Sequence, residues 1–175
     1  MQRVDEAPQP EARRRSAGLA VGVALLIAGA AVLIAQLLFP AQVERVIGEA
    51  KVAVEQVVQE ASPEYPEVTL GPLGGKREMN WCDGRFIELD SYRISGVLPV
   101  YAAHNNCGGD IILSWSIGDQ VKIAGSDAIY EVVDERHTKK WGNVGSLRGM
   151  EGELLLQTCF YGQDKMRFLA LAPTS

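Results

Sequence analysis

ELLLQTCFYGQDKMRFLAL, residues 153–171, decides how the second half of this chain is read. Leu154, Leu155 and Leu156 form an apolar run that ends in Thr158 and Cys159. A short loop follows, and Arg167 opens a second apolar run. Both runs have the length and composition of strands. Cys159 has two uses in such a place: a small hydrophobe filling a strand end, or a nucleophile at the mouth of a site.

The same texture extends upstream. Residues 85–89 and 120–123 alternate between apolar and polar. Residues 97–103 and 128–134 are largely apolar, and 110–115 is an apolar run behind a Gly-Gly turn. With 153–158 and 167–171 these make a set of short β-rich runs separated by Gly, Asn and Asp. That pattern predicts an all-β sandwich or barrel over residues 64–175. The longest gap, 137–152, holds Trp141, Asn143 and several glycines, and a loop of that length in a small β domain points to function.

The N-terminal part is different. Residues 16–39 carry no charge, and Gln36 is their one strongly polar side chain. A helix of that length rises roughly 36 Å, enough to cross a hydrocarbon core of about 30 Å. Arg13, Arg14 and Arg15 precede it, so residues 1–15 are expected in the cytoplasm and everything after Pro40 outside. The run is too long for a usual signal peptide and has no clear cleavage site, which favours a single-pass anchor in membrane lipid. Residues 40–63 follow, with Val43, Val46, Ile47, Ala50, Val54, Val57 and Val58 at three- and four-residue steps. This is an amphipathic helix, expected as a stalk continuing the membrane helix; the alternative is a helix packed on the domain. Ser62-Pro63 and Tyr65-Pro66 end it.

Twenty-two acidic against 17 basic residues give a net charge of -5 over 175 residues. Nucleic acid is not an expected partner, because it calls for a basic footprint. No glycine-rich phosphate loop stands between a strand and a helix. The three cysteines are Cys82, Cys107 and Cys159. Outside the cell thiols tend to pair, and three leave one over. Cys82 and Cys107 lie in turn-like stretches and Cys159 ends a strand, so Cys82–Cys107 is the expected pair if a bridge forms. Closing that loop stabilises by about 3 kcal/mol through chain entropy. A zinc site from His104, Cys107, Cys82 and Cys159 is the competing use, and the absence of a CxxC pair counts against it. No metal or cofactor is expected. Of the two histidines, His137 lies in a charged run, while His104 stands at a strand exit suited to a cleft.

Taken in order, His104 in VYAAHNN, Gly118-Asp119 in IGDQVKI, Cys159 in LLLQTC and Arg167 in KMRFLAL resemble the pattern of sortases, the membrane-anchored cysteine transpeptidases of Gram-positive bacteria. The likeness covers most of the outer domain, and the expected anchor agrees with it. Leu155 stands where the family has the first Thr of its TLxTC motif, and Ala103 precedes the histidine where Gly is usual, so the subclass stays unassigned. The resemblance implies a closed β-barrel with short helices. It implies that Cys159 attacks the Thr carbonyl of an LPXTG-like sorting signal and forms a thioacyl enzyme. His104 then serves as acid and base, and Arg167 donates to the substrate backbone or the oxyanion, with Arg148 as the fallback. Thr158 is expected to support the site through a hydrogen bond. The implied partners are surface proteins bearing a sorting signal and an amine acceptor such as a cell-wall precursor or a pilin lysine. The alternative function is a non-catalytic surface binding or assembly module on the same barrel. Papain-like peptidases place the cysteine before the histidine, and L,D-transpeptidases carry a motif at the nucleophile that this chain lacks.

Overall fold

The alternating and apolar runs after residue 64 form strands, because period-two burial suits a sheet with distinct faces. The computed structural model describes residues 11–174, with side chains from Ala20 onward. Seven strands follow in order: β1 (Glu67–Gly74), β2 (Arg85–Leu89), β3 (Val100–Ala102), β4 (Gln120–Ile123), β5 (Ile129–Lys139), β6 (Leu154–Cys159) and β7 (Lys165–Pro173). Their spatial order is β1-β2-β3-β6-β7-β5-β4, and β1 pairs with both β2 and β4, so the sheet closes on itself. The connections add one four-residue helix and four short 3₁₀ turns, so "all-β" describes this part only roughly.

One strand expectation is corrected, and one strand was not expected. Residues 110–115 do not extend; Gly109–Leu113 is a 3₁₀ turn. Gly108, at φ 90°, turns the chain left-handed just before it. Ile112 and Trp115 then stand three residues apart and both bury in the core. Conversely, β1 is a strand despite Gly71 and Pro72, residues that weaken strand signals. Its register with β2 shifts between Leu70 and Leu73, which accommodates the pair as an irregularity.

Residues from all seven strands, among them Val68, Phe86, Val121, Val132, Leu156 and Leu169, meet in one cluster that fills the closed sheet. A second cluster lies on the opposite face of β2, β3, β6 and β7, where Val100, Leu155 and Phe168 are covered by Leu147 and Met150 from the loop after β5. β6 and β7 are therefore buried on both faces. That is why they read as continuous apolar runs and not as alternating ones.

Two helices precede the barrel: α1 (Glu11–Leu38) and α2 (Pro40–Ala61). Residues 1–10 of the expected N-terminal tail lie outside the described residues, and residues 11–15 already belong to α1. Within α1, Ala20–Leu38 has a mean hydropathy of 2.5 and no buried residue, a length and composition that suit a membrane span or a signal sequence. The chain divides into two compact units between Val43 and Glu44. From Glu44 on, α2 belongs with the barrel. Lys51 forms an ion pair with Asp110, Ser114 Oγ donates to Gln59 Oε1 at 3.3 Å, and Gly48 is buried. This part of α2 thus touches the barrel along one narrow face, while Val46, Ile47, Val54, Val57 and Val58 of the expected apolar stripe stay exposed.

Gly48 explains how the helix comes so close. A Cβ added there would overlap the ring of Tyr161. On helix propensity alone, Gly48→Ala would stabilise α2 by about 1 kcal/mol. The packing predicts the reverse, a loss of about 1–3 kcal/mol from overpacking. Denaturant unfolding of the full chain in detergent checks the sign; a more stable variant would show that α2 is not seated on the barrel.

Candidate active site

β3 and β6 are neighbours and run parallel, with Val100 opposite Leu155, Tyr101 opposite Leu156 and Ala102 opposite Gln157. The pairing carries past the end of β3. Ala103 N–H donates to Gln157 O at 3.1 Å, and Thr158 Oγ1 donates to Ala103 O at 3.0 Å. Continued along both chains, this register brings His104, two residues past the end of β3, level with Cys159, the last residue of β6. Paired strands lie about 4.8 Å apart, so the two residues stand at adjacent strand ends. Thr158 is fully buried, and its hydroxyl ties the two strands just below them.

Cys159 packs against the outer cluster near Met166 and Phe168, and it is the free cysteine. Burial pushes its thiol above the ordinary value. The Lys140 ammonium and the Gln157 amide, whose Nε2 donates to Sγ at 3.9 Å, pull it back only in part. The resting sulfur is therefore a thiol, which needs a base before it can attack. His104 is half-buried, and its Nε2 lies 3.1 Å from Asn80 Oδ1. Facing that carbonyl oxygen, Nε2 is the donor, an arrangement that in the neutral ring leaves Nδ1 as the acceptor. The backbone of His104 is held as well: its carbonyl accepts from Cys107 N–H at 2.9 Å and Gly109 N–H at 3.0 Å.

Cys82 and Cys107 form a disulfide across 25 residues. It closes the loop that carries His104 onto the turn that carries Asn80, and it removes two of the four ligands of the zinc alternative.

Arg167 does not join this group. In the β6–β7 register Cys159 stands opposite Met166, and Arg167 stands opposite Thr158. Side chains alternate along a strand, so Arg167 shares the face of Thr158, away from Cys159. Its five N–H donors are also committed. Nε and Nη2 grip Glu135 at 3.0 and 2.9 Å. Nη1 donates to the carbonyls of Ile112 and Leu113, and Nη2 also to that of Trp115 at 2.7 Å. The expected oxyanion role is corrected to a structural one: Arg167 fastens the 3₁₀ turn that carries Ile112 to the barrel. The fallback Arg148 is exposed and spends Nε on Ser95 O at 3.0 Å. It lies between Leu147 and Met150, two members of the cluster that Cys159 joins.

Lys140 and Asn80 were not expected at the site. Lys140 and Asn80 sit in loops whose folding brings them to the strand ends, and no local pattern marks them. Gln157 was visible two residues from Cys159.

No family model matches the chain, and no curated protein does. Among solved structures, a sortase A of Listeria monocytogenes is similar, at 12% identity over 61% of this chain and 77% of that one, with a TM-score of 0.43. A superposition of that quality leaves the chemistry of this chain to its own residues.

Two predictions follow from the charges. Glu135 is partly desolvated, yet Arg167 and then His137 hold its carboxyl below the usual carboxylate range. That stabilisation is complete above about pH 4.5, where the unfolded glutamate is ionised, and is lost as pH falls through the lower folded value. Arg167→Leu should lower unfolding free energy by about 3 kcal/mol. Arg167→Lys should recover only part of it, having fewer donors. Glu135→Gln should flatten the acid limb of stability against pH. Urea titrations across pH 3–7 in steps of about half a unit test all three against the linkage slope. The second concerns the thiol: Lys140→Met should raise the pH at which Cys159 titrates, read from alkylation rates above neutrality. An unchanged midpoint would remove Lys140 from the site.

Proposed function

We propose that the chain is a sortase-like cysteine transpeptidase acting on an LPXTG-like sorting signal. One observation supports the reading: the β3–β6 register, continued past Ala102 and Gln157, brings His104 level with Cys159. The ordered sequence resemblance agrees with it, and so do a free thiol and a half-buried imidazole with an unoccupied nitrogen.

The chemistry runs from those two residues. Nδ1 of His104 takes the Cys159 proton as sulfur attacks the Thr carbonyl carbon, so the proton leaves as the C–S bond forms. The imidazolium then protonates the departing amine, and the peptide C–N bond breaks to leave a thioester. An incoming amine, from a cell-wall precursor or a pilin lysine, gives its proton to His104 as it displaces the sulfur, and the imidazolium passes that proton to the departing thiolate, restoring the starting pair. Lys140, whose charge already acts on the sulfur, is the cation best suited to the developing oxyanion in place of Arg167. With α1 as a membrane anchor and Arg13, Arg14 and Arg15 on the cytoplasmic side, this chemistry would take place at the outer surface.

A second reading has its own support. Arg167 is committed elsewhere and burial disfavours the thiolate, both of which suit a non-catalytic surface module. The two readings part in a single assay. Full-length protein in detergent micelles is incubated with LPXTG-like peptides and an amine acceptor. Cleavage and transfer are expected. Cys159→Ala should abolish both, and His104→Ala should cost about 10²–10⁴-fold in rate. Full activity in Cys159→Ala would end the transpeptidase reading. Inert wild type with a thiol that resists alkylation would favour the module.

A further inference from the structure

His104 and Cys159 each stand at the point where a strand becomes a loop. A pair placed so keeps its spacing only if the two loops are joined. Tyr161, two residues beyond Cys159, makes that joint. Its hydroxyl lies 2.9 Å from the carbonyl oxygen of Asn105, the residue after His104, and 2.8 Å from Oδ2 of Asp110 at the next turn. Burial and then the Asp110 carboxylate push the Tyr161 hydroxyl far up, so it stays protonated.

The joint has an electrostatic condition. A phenol has one hydrogen, and both of its partners here are acceptors. If the hydrogen stays on Asp110, the Asn105 carbonyl is not held. Lys51, on α2, pairs with the same Asp110 oxygen and supplies the positive charge that the buried carboxylate requires. The Tyr161 hydrogen is then free for Asn105. Gly48, one turn earlier on α2, leaves room for the ring itself.

We infer that Tyr161 is a positioning residue for the thiol–imidazole pair and that α2, through Lys51 and Gly48, sets it, so that the helix leading into the barrel is a working part of the site. This deepens the transpeptidase reading and rests on its pairing of Cys159 with His104, though not on turnover. The consequence is that a change in how α2 sits on the barrel alters the reactivity of Cys159.

Cys82 and Cys107 are bonded to each other, so alkylation of the oxidised protein reports Cys159 alone. The rate of iodoacetamide reaction is measured from pH 5 to 10, in steps of about half a unit, on full-length protein in detergent micelles. In wild type, reaction at neutral pH should exceed what the small thiolate fraction supplies, because His104 takes the proton. His104→Ala should lose that neutral shoulder. Tyr161→Phe and Lys51→Met should lose it too, with the high-pH limb kept. Lys51→Arg should retain it, which a merely structural defect would not predict. Shoulders in Tyr161→Phe and Lys51→Met equal to wild type would overturn the inference while leaving the pairing intact. An unchanged His104→Ala profile would overturn the pairing and the inference with it. Circular dichroism on each variant separates unfolding from misplacement, and Lys51→Met, at a half-exposed position, keeps the test alive if Tyr161→Phe fails to fold.

Discussion

The parallel pairing of β3 with β6 is the contact on which the rest depends. Parallel neighbours cannot be joined by a tight turn, and here the connection between them spans a 3₁₀ plug, β4, β5 and the long loop over the outer cluster. From β6 the closed sheet continues through β7, β5 and β4 and returns to β1. The same pairing sets two residues 55 positions apart in the chain next to each other. Thr158 reinforces it at its upper end by reaching across to Ala103 with a side chain that has no contact with water.

The charged residues divide between two tasks by the face they occupy. On the inner face, Arg167 spends every donor on holding Glu135 and three carbonyls of the segment that plugs the barrel. A guanidinium that deeply committed cannot also follow charge developing on a substrate. On the outer face the thiol sits in apolar surroundings that disfavour its ionisation, with Lys140 as the counterweight. The energetic logic differs accordingly. The inner network contributes to stability and fails in acid, whereas the outer group governs how readily the sulfur ionises.

The strand ends are also braced from outside the sheet. The Cys82–Cys107 bridge and Asn80 steady the loop of His104, and Tyr161 connects that loop to the one beyond Cys159. On α2, Lys51 pairs with Asp110 and Gly48 leaves room for Tyr161, so the segment expected as a tether contacts the loops at these strand ends.

The sequence by itself determined the apolar N-terminal helix, the amphipathic helix behind it, most of the strands and the odd cysteine. Each of these follows from local periodicity or composition, which survives whatever the tertiary arrangement does. His104 and Cys159 stood out as candidates through their order and their places near strand exits. Only the tertiary structure decided where Arg167 points. Strand faces alternate with period two, so the β6–β7 register, which sets Cys159 opposite Met166, sends Arg167 to the other side. The folding of residues 110–115 and the seating of α2 were likewise beyond local pattern. An apolar hexapeptide suits a strand or a plug equally, and α2 meets the barrel through Gly48, Lys51 and Gln59 while most of its valines stay exposed. Lys51 meets Asp110, 59 positions away, only because the closed sheet brings the loop of Asp110 under the helix.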